Sequence, residues 1–477
     1  MSAVPARRRS RLVVAATALA VAALTALPDI ASAHGLVGKQ DLPVPRWLFA
    51  WAAAAVLVIS FVGLATLWPT PRLQHPRERV IAAIPRILDP LAGVFGVFIF
   101  VVVVYAGLAG TQSPTTNLAP TFVFVVFWVG LPYMSAIFGD FFKAVNPWRA
   151  VARFVRWLAS KGGAEAPAPF AYPTWLGRWP AALGILAFAW VELVYVNKDD
   201  PSKLAILAVA YAAIQLIGMS LYGIETWLDR ADAYGVYFGL FAKLSPLHWR
   251  KGELSGRRPL EGVVGLTAVP GTVALLCTMI GTTSFDGFSQ GPLWTSIAPH
   301  LQSFFQNLGF SAEPALEAGY TVGLLFMVGL ITGLYLLGVM GMRSVGEGHG
   351  TIELSRLFVH SLVPIALAYI VAHYFSLLIY QGQAAFALAS DPLGHGSDIF
   401  GTAGISINYN AISATAVWYV QVAALVCGHA AGLALAHDRA LALYRAPQDA
   451  TRSQYWMLAV MVAFTSLGLW LLSAANA

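Results

Sequence analysis

The chain has 477 residues, 58% of them apolar and only 11% charged, with a mean hydropathy of +0.68. Soluble domains carry roughly a quarter charged residues, so a water-soluble globular protein is excluded. The formal charge of +6 is concentrated in a few loops, which reads as topology determinants and contacts to anionic lipid headgroups, not as a nucleic-acid footprint.

Residues 1–33 begin with Arg7, Arg8, Arg9 and Arg11, continue with an apolar run from Leu12 to Leu27, and end in the small-residue site Ala31, Ser32, Ala33. That is the pattern of a cleavable secretory signal. Pro28 and Asp29 close the apolar run early, in keeping with cleavage after Ala33. The mature chain, 34–477, is then expected to begin at His34 as a single helical membrane domain, with 25 basic and 22 acidic residues and a charge of about +3. A free amino group beside the His34 imidazole can chelate a metal such as copper.

A bilayer-spanning helix needs about 20 apolar residues. Ten stretches qualify, near 47–68, 91–110, 120–139, 178–196, 204–223, 261–283, 318–342, 357–380, 413–436 and 455–474. The fold class expected is all-α, a polytopic transmembrane bundle of about ten spans. Loops after odd-numbered spans hold the positive charge, among them Arg72 to Arg86, Lys143 to Lys161 and Arg230 to Arg258. Loops 111–119, 284–317 and 381–412 have neither Lys nor Arg. The positive-inside rule puts the basic loops in the cytoplasm, and both mature termini outside the inner membrane. Trp47, Trp68, Trp148, Trp157, Trp175, Trp179, Trp249 and Trp294 near span ends suggest interfacial belts.

The long outer loops 284–317 and 381–412 are too apolar for solvated linkers and are expected to fold back as short helices or re-entrant segments over the outer face. Residues 162–173 read as a flexible inner segment. Lys143-Ala-Val-Asn-Pro-Trp-Arg149 is echoed by Lys243-Leu-Ser-Pro-Leu-His-Trp-Arg250, which predicts two helix starts, after Asn146 and after Ser245. Cys277 and Cys427 both lie in apolar segments, so no disulfide framework is indicated.

Ionisable groups within spans are costly and mark candidate sites. They are Glu192, His360, His373 and His429, with His437 and Asp438 at an inner end. His360 and His373, thirteen residues apart, are separated by about 20 Å of helix and cannot share an ion. His360 and His429 are placed to meet in the inner half, unless His429 simply bonds between close-packed helices around Gly428, Ala430, Ala431 and Gly432. His437, Asp438 and Arg439 read as an interface. His373 falls in the outer half, beneath the loop carrying Asp391, His395 and Asp398, with Asp286 and His34 on the same side.

The stretch from His34 to Phe49, together with "VYFGLFAKLSPLHWRKGELSGRRPL", "AHYFSLLIYQGQ", "SDPLGHGSDIFGTA" and "WYVQVAALVCGHAAGLALAHDRAL", resembles bacterial integral-membrane proteins of the fenitrothion hydrolase family, over the whole mature chain. The resemblance implies attack of a metal-bound or base-activated water on a thiophosphate triester, with a nitrophenolate leaving. A bound metal lowers the pKa of water toward 7. The catalytic residues expected are His373, Asp391 and Asp398, and the metal ligands are His34, His373 and His395, holding a divalent ion, zinc or copper. An apolar triester would arrive through the bilayer. Two other functions stay open: a transporter or channel component, with or without a partner membrane subunit, and a haem- or copper-bearing redox protein built on His360, His373 and His429.

Overall fold

The computed structural model describes residues 46–162, 168–250, 252–345 and 348–475. The signal segment, its cleavage site and His34 lie outside the described residues. In chain order the elements are α1 (Arg46–Leu67), β1 (Arg79–Ala83), α2 (Leu88–Ala109), α3 (Leu118–Phe138), α4 (Phe141–Val145), α5 (Pro147–Lys161), α6 (Trp179–Leu193) and α7 (Pro201–Tyr222). Then come α8 (Ile224–Arg230), α9 (Ala233–Ala242), β2 (Leu247–Arg250), β3 (Glu253–Gly256), α10 (Glu261–Val264), α11 (Thr272–Ser289) and α12 (Pro292–Asn307). The last are α13 (Ala312–Arg343), α14 (Thr351–Phe358), α15 (Leu362–Ser390), α16 (Ala414–Leu443) and α17 (Pro447–Ala475).

The protein is an all-α helical bundle, and each predicted span falls on a helix. Six described stretches are long and apolar enough to cross a membrane: α2, α3, α7, α13, α16 and the run Thr351–Ser390 through α14 and α15. Helix starts follow local chemistry. Asn117, Asn146, Asp200 and Ser413 each accept a hydrogen bond from a backbone N–H of the first turn, and proline opens α5 and α7, where its missing N–H costs nothing.

Bonds between loops sort the connections into two sets at opposite ends of the bundle. At the arginine-poor end, Thr111 N bonds Leu393 O, Leu118 N bonds Pro392 O, Ser202 N bonds Gln112 Oε1, and Val196 N bonds Glu317 Oε1. At the arginine-rich end, β1 pairs antiparallel with β3 and β3 with β2, Arg149 reaches Asp89 and Glu225, and His248 meets Glu78. The alternation of charge along the sequence thus becomes a two-ended molecule.

α11 and α15 form the centre. α11 is buried along most of its length and packs on α6, α13, α15 and α17; α15 packs on α16, α11 and α3. Two glycines set the α15–α16 spacing. A Cβ on Gly428 would stand 2.2 Å from Ala368 Cβ, and one on Gly432 would stand 2.8 Å from Ser361 O. The close-packing face read on span 9 is therefore real at Gly428 and Gly432, as small residues allow in membrane helices.

Several expectations are corrected. Ser245 does not start a helix: Leu247–Arg250 is a strand, and the Ser245 hydroxyl instead accepts from Leu247 N and donates to Ile137 O. Asn146 does cap α5. The sixth predicted span is not one helix from 261: the chain leaves the short α10 at Gly265, and α11 begins only at Thr272, behind Pro270 and a left-handed Gly271 (φ +80°); it also extends to Ser289. The segment 284–317 does hold a short helix, as expected, with α12 lying on α13. α15, on the eighth predicted span, continues ten residues past the predicted end, to Ser390. Trp148 and Trp294 are buried (5% and 3% exposed), so they are core residues, whereas Trp157, Trp175, Trp179 and Trp249 are exposed as belt residues would be.

Candidate functional site

Three helices each deliver one ionisable side chain to the same place. α6 ends one residue after Glu192, α11 carries Asp286 in its last turn, and α15 carries His373 and Tyr374 at mid-length. His373 Nε2 lies 2.8 Å from Asp286 Oδ2, and the Tyr374 hydroxyl donates to the same oxygen at 2.8 Å. The Tyr374 oxygen is also 3.5 Å from Glu192 Oε1. A phenol has one proton, so Tyr374 cannot donate to both carboxylates at once. A continuous chain exists when Glu192 is protonated and donates to Tyr374, which donates to Asp286, with His373 on the far side.

Charge counting leads to the same point. Two carboxylates beside one imidazole are neutral overall only when the three groups share two protons, and an uncompensated charge away from water is expensive. Both carboxylates sit near helix C-termini, where the backbone dipole opposes negative charge. Lys198 at the arginine-poor end donates to Glu192 O at 2.9 Å and supplies a positive charge nearby. The pair is not sealed: the His373 and Asp286 side chains are 22% and 15% exposed.

His373 also borders a cavity of about 30 Å³, the room of about one water molecule. Thr283, Ser284 and Gly287 of α11 and Tyr369 and Ala372 of α15 line it, with Leu425 of α16 and Gly468 of α17. The buried Ser284 hydroxyl has no hydrogen-bond partner. Gly468 leaves room for the Tyr369 hydroxyl, 2.9 Å from where a Cβ would stand, and that hydroxyl donates to Phe464 O. Tyr369 in turn faces the ring of His429, 6.1 Å between centroids. α3 packs on α15 through a nine-residue π-helical segment, Phe122–Gly130, which turns Trp128 into the core; such segments gather at functional sites.

The other predicted site residues lie elsewhere. Because α15 is continuous from Leu362 to Ser390, Asp391 is eighteen residues beyond His373, about 27 Å along the axis. His373 therefore does not meet Asp391, His395 or Asp398. Those residues build a turn instead. Asp391 accepts from His395 N and Gly396 N at 3.1 and 2.8 Å, and Asp398 accepts from the Ser390 hydroxyl and Ala403 N. His360 and His429 do not bond each other: each bonds a carbonyl of its own chain segment, Leu357 O and Leu425 O, and leaves Nε2 without a partner. Among the described residues no three His, Cys, Asp or Glu side chains are arranged to hold a metal ion; His34, one of the expected ligands, lies outside them.

His437 and Asp438 are buried and, with Arg439, tie the end of α16 to the loop after α1 and to α10. Asp438 accepts from Trp68 Nε1, Arg72 N, Leu73 N and Gln74 Nε2, His437 Nε2 lies 3.2 Å from Trp68 O, and Arg439 donates to Val264 O. The sequence reading put Asp286 on the side of His373 but in a loop, because the helix end was placed too early, and it passed over Tyr374, because a tyrosine in an apolar run carries no charge signal. Compared with family models, with curated proteins and with solved structures, the chain matches none.

Proposed function

We propose that this is a multi-pass membrane protein that passes protons through its interior, with Glu192, Tyr374, Asp286 and His373 as the protonatable station. The observation that carries the reading is the chain itself: three ionisable groups from three helices, linked through one phenol and ending at a cavity with room for one water. Ionisable residues inside a bundle commonly serve as proton relays, and each link here can accept a proton on one side and release one on the other. The basic loops favour an inner-membrane location with the arginine-rich end in the cytoplasm and both mature termini outside. On that orientation the station opens toward the outer face.

Vesicles containing purified protein, loaded with a pH-sensitive dye and given an imposed pH gradient, test this. Wild type should dissipate the gradient faster than empty vesicles, and Tyr374→Phe should slow it at least about tenfold, in line with removing a positioned proton-transfer group. A wild-type rate equal to that of empty vesicles, or a Tyr374→Phe rate equal to wild type, would overturn the proposal.

A hydrolytic reading is favoured by the same His373–Asp286 pair, since an imidazole oriented by a carboxylate can act as a general base toward water. It fits the fenitrothion hydrolase resemblance without a metal. The neighbouring cavity admits a water and not a triester, so the substrate would have to approach from the arginine-poor face. Release of nitrophenolate from a nitrophenyl thiophosphate triester by wild type, lost in His373→Ala, would favour this reading over proton passage.

A further inference from the structure

At the opposite end of the molecule, α1 and α16 do not close against each other along their full length. Between them lies a groove of about 360 Å³, within the ~300–1,000 Å³ of ordinary small-molecule sites. Its walls include Gly63 and Leu67 of α1 and Ala430 and Ala434 of α16, and its arginine-rich end is closed by Trp68 and Arg72. Small residues make the groove. A Cβ on Gly63 would meet nothing within 4 Å, and Ala430 and Ala434 are one turn apart on the facing helix.

The polar end is held in place. The Arg72 guanidinium stacks on the Trp68 ring, 4.8 Å from its centre, and donates to Leu67 O at 3.0 Å. The backbone beneath is fixed by Asp438, which takes both Arg72 N and Trp68 Nε1. Asp438 therefore anchors the loop through N–H groups and forms no ion pair with the guanidinium. Among the described residues the Arg72 guanidinium has no carboxylate in ion-pair contact, so its charge is presented at the rim of an apolar groove.

We propose that this groove binds one anionic phospholipid, its acyl chain along Gly63, Leu67, Ala430 and Ala434 and its phosphate on Arg72. The apolar length calls for a hydrocarbon chain and the arginine calls for an anion. A phospholipid with net negative charge carries both on one molecule.

Native mass spectrometry of the detergent-purified protein, with phosphatidylglycerol or phosphatidylcholine of identical chains added, provides the test. Wild type should retain phosphatidylglycerol about fivefold better than phosphatidylcholine, the worth of one basic residue at an anionic headgroup. Arg72→Gln should retain both lipids equally, Gly63→Leu should retain neither, and Gly63→Ala, too small to fill the groove, should behave as wild type. No preference in wild type, a preference that survives Arg72→Gln, or full retention by Gly63→Leu would each overturn the proposal. Inorganic phosphate should not displace the bound phosphatidylglycerol; displacement at millimolar concentration would mean that the phosphate alone is recognised, and the lipid assignment would fall.

Discussion

At Asp232 one fully buried carboxylate takes hydrogen bonds from Asn146 Nδ2, Trp148 Nε1 and the Tyr211 hydroxyl, at 3.1, 2.8 and 2.7 Å. Burial pushes its pKa up, and these donors work against that shift. Asp232→Ala would strand two buried donors and the half-buried Tyr211 hydroxyl, so a loss of stability on the order of 3–5 kcal/mol is expected. His437→Ala removes a single bond to Trp68 O and should cost about 1 kcal/mol; thermal unfolding in one detergent compares the two. The same cluster explains the Asn-Pro-Trp-Arg motif, which the sequence showed only as a helix start. Asn146 caps α5 while binding Asp232, and Trp148 is drawn inward by the same carboxylate. A second residue-scale prediction concerns acid. Asp391 is a little desolvated, which raises its pKa, but the N–H groups of Gly396, His395 and Ser397 outweigh this and hold it below the ordinary 3.8. A carboxyl with a depressed folded-state pKa stabilises the turn fully above its unfolded pKa and loses that contribution as pH falls through the folded value. Protection of the Gly396 amide from hydrogen exchange should therefore be independent of pH above about 5 and decline below about 4.

Among the helices, existence was readable from apolar length and ends were not. The run from 357 to 380 reads as a complete span, yet α15 continues to Ser390, because Gln381-Gly-Gln-Ala-Ala-Phe-Ala-Leu-Ala contains no proline and its alanines and leucine outweigh the single Gly382. The missing stop separated His373 from the loop residues expected beside it. In the same way, the added turn of α11 moved Asp286 from a loop into the site. Helix packing gives a paired prediction. Gly428→Val places a side chain where Ala368 already stands, so it should destabilise by more than about 2 kcal/mol, the scale of overpacking a core. Gly333 has nothing within 4 Å of its missing Cβ, so Gly333→Ala should be neutral or stabilising by up to about 1 kcal/mol through helix propensity. Unfolding midpoints of the two variants check this. α5 adds a surface element: Phe154, Val155, Trp157 and Leu158 are exposed, while Arg149 is tied to Asp89 and Glu225. An apolar exposed face beside basic residues suits a helix lying in the headgroup plane.

For the molecule as a whole, the charge alternation along the chain and the two-ended arrangement of loops agree, since every bond between loops cited above joins segments of the same charge class. A reagent that cannot cross the membrane should, from outside, label Ser397→Cys and leave Ser160→Cys unlabelled. The opposite pattern would invert the orientation and place the Glu192–His373 station on the cytoplasmic side. What composition could not reveal was the three-stranded sheet. Each of its strands is only four or five residues long, too short to stand out against flanking apolar and basic sequence.

That sheet also imposes a timetable. Arg79 of β1 pairs with Gly256 of β3, 177 residues later. At roughly 5–20 residues per second of synthesis, β1 waits on the order of ten to thirty seconds for its partner, while the intervening helices enter the membrane. Through that interval Val80 and Ile81 form an unpaired apolar edge of the kind that invites wrong pairing. Arg77, Arg79 and Arg86 bracket it as charged gatekeepers. The basic residues that orient the chain would then have a second use during its birth, keeping the earliest strand unattached until the right one arrives.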